Sequence, residues 1–132
     1  QLAVQLDPID VEAMNGLASA YSANGQVADA TAEFQRVLAI RPYGPAYNGL
    51  GLIAVKQHDF IGARKYFDRA VQTNGKDMQS LLNLGMLCTQ TGDIPCGRNA
   101  FHAFLANASP GQYKNIIPRV QSLLHTVLAQ QR

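Results

Sequence analysis

The sequence predicts an all-α solenoid of stacked helical hairpins, and three observations predict it. First, a pattern of apolar and small residues recurs at a nearly fixed period. Leu50, Gly51, Ala54, Ala63, Phe67 and Ala70 fall, 33 residues earlier, on Leu17, Ala18, Tyr21, Ala30, Phe34 and Val37, and 34 residues later on Leu84, Gly85, Cys88, Gly97, Phe101 and Phe104. A period of this size decides the architecture before any single propensity does. Second, the apolar residues inside each run are spaced at three and four, as in Met14, Leu17, Ala18, Tyr21 and again Ala30, Phe34, Val37, Leu38, which is one face of an α-helix. Third, the two runs of each unit are parted by short stops, Ala23-Asn24-Gly25-Gln26, Gln57-His58-Asp59 and Thr91-Gly92-Asp93, suited to a left-handed residue followed by a new helix start.

Taken in order, residues 1–8 read as the end of a preceding repeat, with Ala3, Val4 and Leu6 before Asp7-Pro8. Unit 1 occupies 9–42. Asp10 is placed to N-cap a helix over about 11–24, Gly25 ends it, and a second helix over 27–40 stops before Pro42, which cannot continue it. Unit 2 occupies 43–75. Pro45 suits the first turn of a helix over 45–57, Asp59 caps the next over 60–73, and Asn74-Gly75 stops it. Unit 3 occupies 76–109, with helices over 78–90 and 94–107, the latter capped by Asp93. In 110–132 the positions Tyr113, Ile116, Ile117, Val120, Leu123, Leu124, Val127 and Leu128 keep the helical spacing, giving a C-terminal capping helix that kinks or begins at Pro118.

Small residues have a physical role in such hairpins, because two helices approach closely only where one presents a side chain no larger than Ala. Ala18, Gly51 and Gly85 on the first helices, with Ala30, Ala63 and Gly97 on the second, mark the close crossings. Phe34, Phe67 and Phe101 are expected to fill the wider gap beside them.

These residues, with Pro42 closing the first unit, resemble the tetratricopeptide repeat pattern of Leu-Gly, Tyr, a turn Gly, then Ala, Phe, Ala and a closing Pro. The resemblance covers about 7–110. Ala54 and Cys88 stand where Tyr is usual, His58 where Gly is usual, Gly75 where Pro is usual, and Met14, Tyr47 and Leu81 at the Trp-like site. It implies a right-handed superhelix of three hairpins plus a capping helix, whose first helices line a concave groove. Groove candidates are then Glu12, Asn15, Ser19 and Ser22, next Asn48, Leu52 and Lys56, and finally Gln79, Asn83, Met86 and Gln90. Asn bonds an extended backbone with both donor and acceptor, and Leu52 and Met86 offer apolar purchase. The implied function is non-catalytic binding of a protein or extended peptide, as a scaffold, adaptor or assembly factor.

The resemblance also sets limits. Repeats that grip the acidic tail of heat-shock chaperones carry Lys and Arg at groove sites that here hold Asn15, Ser19, Gly49, Gln79 and Asn83, so that tail is not an expected partner. Cys88 and Cys96, eight residues apart, resemble the secreted, cysteine-rich class of helical repeats, in which a disulfide staples one hairpin. The alternative is a pair of small buried thiols. A disulfide implies a periplasmic or secreted chain, free thiols a cytoplasmic one. A second reading of the whole takes the segment as the C-terminal tail of a larger bacterial enzyme, a sulfatase-like hydrolase or glycosyltransferase, serving targeting or oligomerisation.

Composition narrows the field further. An apolar share of 47% over 132 residues is ample for a core, and a net charge of +2 gives no strong bias toward nucleic acid. Charge is uneven: residues 1–42 carry five acids against two bases, whereas 94–132 carry Arg98, Lys114, Arg119 and Arg132 with no acid. Arg64, Lys65 and Arg69 form a small basic ridge on one helix, a weak nucleic-acid signal. The longest apolar run, 50–55, is far too short to span a bilayer. His58, His102 and His125 never reach the four-residue spacing of a helical metal site, so no metal, cofactor or catalytic set is expected. Self-association through the Gln1 end is a third expectation, since an apolar end of a repeat array needs cover.

Overall fold

The computed structural model describes residues 8–130, which form seven helices and, among the described residues, no strand. They are α1 (Pro8–Ala23), α2 (Val27–Ile40), α3 (Gly44–Lys56), α4 (Phe60–Thr73), α5 (Met78–Thr91), α6 (Ile94–Asn107) and α7 (Ile117–Ala129). The preceding-repeat segment and the Gln1 end lie outside the described residues.

Helix ends follow from the side chains available to satisfy them. Asp59, Asp77 and Asp93 each accept a hydrogen bond from the backbone N–H three residues on, those of Gly62, Ser80 and Cys96, and so cap α4, α5 and α6. Pro45, Pro95 and Pro118 sit in the first turns of α3, α6 and α7, where a missing N–H costs nothing. Two expectations are refined here. α1 begins at Pro8, so Asp10 lies inside its first turn, where an acid favours the positive end of the helix dipole. The closing helix begins at Ile117 beside Pro118, with residues 110–116 in turns, so Pro118 starts a helix and kinks none.

α1 pairs with α2, α3 with α4, and α5 with α6. Each second helix then packs on the first helix of the next hairpin, and α6 packs on α7. α1 also touches α3, and α3 touches α5, whereas no comparable contact joins α2 to α4 or α4 to α6 among the described residues. The first helices are therefore the crowded, inner layer of the curve.

The aromatics sit closer to the small residues than the sequence reading places them. A Cβ on Gly51 would stand 2.4 Å from the Phe67 ring, and one on Gly85 2.5 Å from the Phe101 ring, so each ring rests directly on its glycine. Phe34 reaches across the unit boundary instead, to within 2.2 Å of a Cβ built on Gly49. A second difference concerns Leu17, which is 45% exposed although its repeat partners Leu50 and Leu84 are 3% and 9% exposed. The latter two are covered by the preceding hairpin, and among the described residues no hairpin precedes α1.

Candidate functional site

The inner layer carries a cleft between α3 and α5 of about 100 Å³, lined by Leu52, Val55, Phe67, Asn83, Met86, Leu87 and Gln90. A second cleft of about 150 Å³ lies between α5 and α7, and Leu82, Met86, Ile116, Arg119, Val120 and Leu123 line it. Met86 belongs to both. Its flexible thioether, 47% exposed, forms the ridge between two apolar hollows. Leu52, 46% exposed, flanks the first hollow, and Arg119, which makes no ion pair among the described residues, stands at the second.

The groove candidates are thus divided. Leu52, Asn83, Met86 and Gln90 come together in one cleft. Glu12, Asn15, Ser19 and Ser22 stand on α1, with Lys56 on α3 and Gln79 on α5, all outside that lining. Asn48 requires a correction. It is buried, donating to Ser80 Oγ at 2.8 Å and to Asp77 Oδ2 at 3.3 Å, while its own Oδ1 accepts from Asn83 Nδ2 at 3.5 Å. Gln79 Nε2 in turn donates to Asn83 Oδ1 at 2.9 Å. Asn48 is therefore a polar joint between units 2 and 3, spent on the fold and unavailable to a ligand. Helical register places a residue on a face but does not say how much of that face the next hairpin covers.

The sequence reading missed the contribution of α7, taken there only as a C-terminal capping helix. The signal was present in the breadth of its apolar face: Ile116, Val120 and Leu123 at spacings of four and three serve both the core and the cleft.

Two other groups bear on chemistry. The Cys88 and Cys96 sulfurs lie 1.94 Å apart, at bonding distance, with their Cα atoms 5.7 Å apart. Asp93 lies within 4.8 Å of both sulfurs, but in this state the sulfurs hold each other and Asp93 is engaged by the Cys96 N–H and by Arg64 Nη1 at 3.0 Å. The hydrogen bond from Arg64 and that from the Cys96 N–H hold the Asp93 carboxyl below its ordinary range, and the same pairing raises Arg64. His58, His102 and His125 are exposed on three separate elements: the α3–α4 turn, α6 and α7.

A tetratricopeptide repeat family model matches residues 2–45 and 48–109. The chain belongs to the tetratricopeptide repeat family. Solved structures carry the same fold. The Yersinia enterocolitica type III secretion translocator chaperone SycD superposes with a TM-score of 0.83 at 16% identity, over 96% of this chain and 89% of SycD. PcrH from Pseudomonas aeruginosa gives 0.78 at 19% identity over 96% and 99%. The Sgt2 repeat domain from Aspergillus fumigatus gives 0.74 at 12% identity over 98% and 83%. At such identities the likeness is one of fold. SycD has been solved with a peptide of the translocator YopD, and PcrH with the chaperone-binding region of PopD. No curated protein matches the chain. Among the described residues no helix is long and apolar enough to cross a membrane.

Proposed function

We propose that this repeat array holds an extended segment of a partner protein against its inner face and performs no chemistry on it. The observation that carries the reading is the pair of apolar hollows on either side of Met86, small enough to take one aliphatic side chain each. Asn83, Gln90 and Arg119 beside them supply polar groups for the segment's backbone or a carboxylate. Two repeat proteins of the same fold hold such segments, SycD a peptide of the translocator YopD and PcrH the chaperone-binding region of PopD, which supports a peptide ligand here. The tail of a hydrolase or glycosyltransferase draws no support from these chaperone relatives.

The test is panning of a random peptide display library on the chain, followed by rebinding of enriched clones to Leu52→Glu and Met86→Glu. Clones rich in aliphatic residues that lose binding to both variants support the reading. Clones that bind the variants as well as the parent overturn it. The reading extends to compartment: with Cys88 joined to Cys96, we infer that the chain works in an oxidising setting such as a periplasm. Two free thiols in unfolded, unreduced protein purified from its source overturn that inference.

A further inference from the structure

Two clefts roomier than those beside Met86 lie away from the inner layer. One of about 410 Å³ lies where the start of α4 faces the end of α5, and Phe60, Ile61 and Leu87 form its apolar part. Another of about 400 Å³ lies further along α4, with Tyr47, Tyr66 and Arg69 in its wall. Lys65 lines both. Ile61 is 76% exposed, a large aliphatic side chain that contributes nothing to the core.

The charge along this ridge is divided. Arg64 is spent on the fold, paired with Asp68 at 3.1 Å and Asp93 at 3.0 Å. Lys65 and Arg69 make no ion pair among the described residues. The acid in the wall of the second cleft, Asp59, caps α4 by accepting from the Gly62 N–H at 3.0 Å. Tyr66, which follows Lys65 in the sequence, and Tyr47 from α3 add aromatic rings to the wall of the second cleft.

We propose that the α4 ridge is a second docking site, for an extended acidic segment of a partner protein: an apolar side chain seated against Ile61, Phe60 and Leu87, followed by two carboxylates on Lys65 and Arg69. The spacing fits such a segment. Residues four apart on a helix stand about 6 Å from one another, and alternate residues of an extended strand are separated by about 6.6 Å. Carboxylates at alternate positions therefore reach both cations together, while the tyrosine rings pack on the intervening chain.

This site shares only the buried Leu87 with the α3–α5 cleft, so one library separates them. Random ten-residue peptides are panned on the chain at low salt, and enriched clones are rebound to Ile61→Glu, to Lys65→Glu with Arg69→Glu, and to Met86→Glu, each checked for helical content. The expected class pairs an apolar residue with two alternate acids. It weakens about ten-fold on each α4 variant, since Ile61→Glu sets a carboxylate against its apolar residue and the double variant reverses both cations, weakens with added salt, and is unchanged on Met86→Glu. Absence of that class, or its equal binding to the α4 variants, overturns the proposal. So does an α4-dependent affinity confined to a single-stranded oligonucleotide run in parallel.

Discussion

At the scale of single residues, the α3–α4 turn holds the one position, among the described residues, where a side chain other than glycine's meets a left-handed backbone. His58 has φ 60°, the left-handed conformation that Gly25 and Gly92 adopt at φ 78° and 84° in the other two hairpins. A Cβ in that region costs about 1–2 kcal/mol, and glycine escapes the cost while losing some unfolded-chain entropy. His58→Gly is therefore expected to stabilise the protein by about 0.5–1 kcal/mol, seen as a higher urea midpoint at unchanged slope. The sequence shows this site as a departure from a turn glycine, so its strain was legible. Asn48 was not, because its burial depends on the offset between hairpins. Asn48→Ala removes the donor that reaches Ser80 and Asp77, leaving buried polar atoms short of a partner, and is expected to cost about 1–3 kcal/mol in urea unfolding. Loss of peptide binding by that variant would then report damage to the joint between units.

At the scale of elements, the α5–α6 turn is tied at several points at once. Gly92 closes α5, the Asp93 N–H bonds the Cys88 carbonyl at 2.8 Å, Asp93 caps α6 and holds Arg64 of α4, and the cysteine sulfurs meet across the hairpin. Reduction opens a closed loop of modest length, and the loop-entropy argument puts its cost at about 2–3 kcal/mol. A thermal melt with and without a dithiol reductant measures it, and an unchanged midpoint would mean that the neighbouring hydrogen bonds hold the turn by themselves. Asp93 also gives the turn a pH dependence. Its carboxyl is held below the ordinary value of 3.8, so its contribution is complete above that value and is lost as pH falls through the lower, folded one. The side chain is 41% exposed, which makes the effect modest and weaker in salt. Asp93→Asn keeps a capping oxygen and removes the charge, so its stability below about pH 4 is expected to fall less steeply than that of the parent.

At the scale of the whole molecule, hairpin order, caps and most of the core were legible because they follow from periods of 3.6 and about 34 residues. Which boundary is strong was not, because that depends on polar side chains meeting across units. Units 2 and 3 are locked by Asn48 with Ser80 and Asp77 and by Arg64 with Asp93. One repeat earlier, the counterpart of Asn48 is Asn15, whose Oδ1 is buried without a hydrogen-bond partner. The counterpart of Asn83, whose Nδ2 serves the Asn48 Oδ1, is Gly49, which has no side chain, and the counterparts of Asp77 and Ser80 are Tyr43 and the fully buried Ala46, which has no hydroxyl to offer. In a repeat array, stability is close to a sum of unit and boundary contributions. The α1–α2 hairpin is therefore expected to open below the global unfolding free energy, visible as faster amide exchange there than in α3 to α7. Repair tests the cause. Ala46→Ser places a hydroxyl at the position of Ser80 in the stronger boundary, where it can accept from the Asn15 amide or donate to its Oδ1, and is expected to raise stability by about 0.5–1.5 kcal/mol and to slow exchange in α1 and α2. In an Asn15→Ala background the same serine has no amide to pair with and should give no gain. A gain of equal size in both backgrounds would remove Asn15 from the account, and exchange that is uniform across the boundary in the parent would show that packing of α2 on α3 suffices without a polar joint.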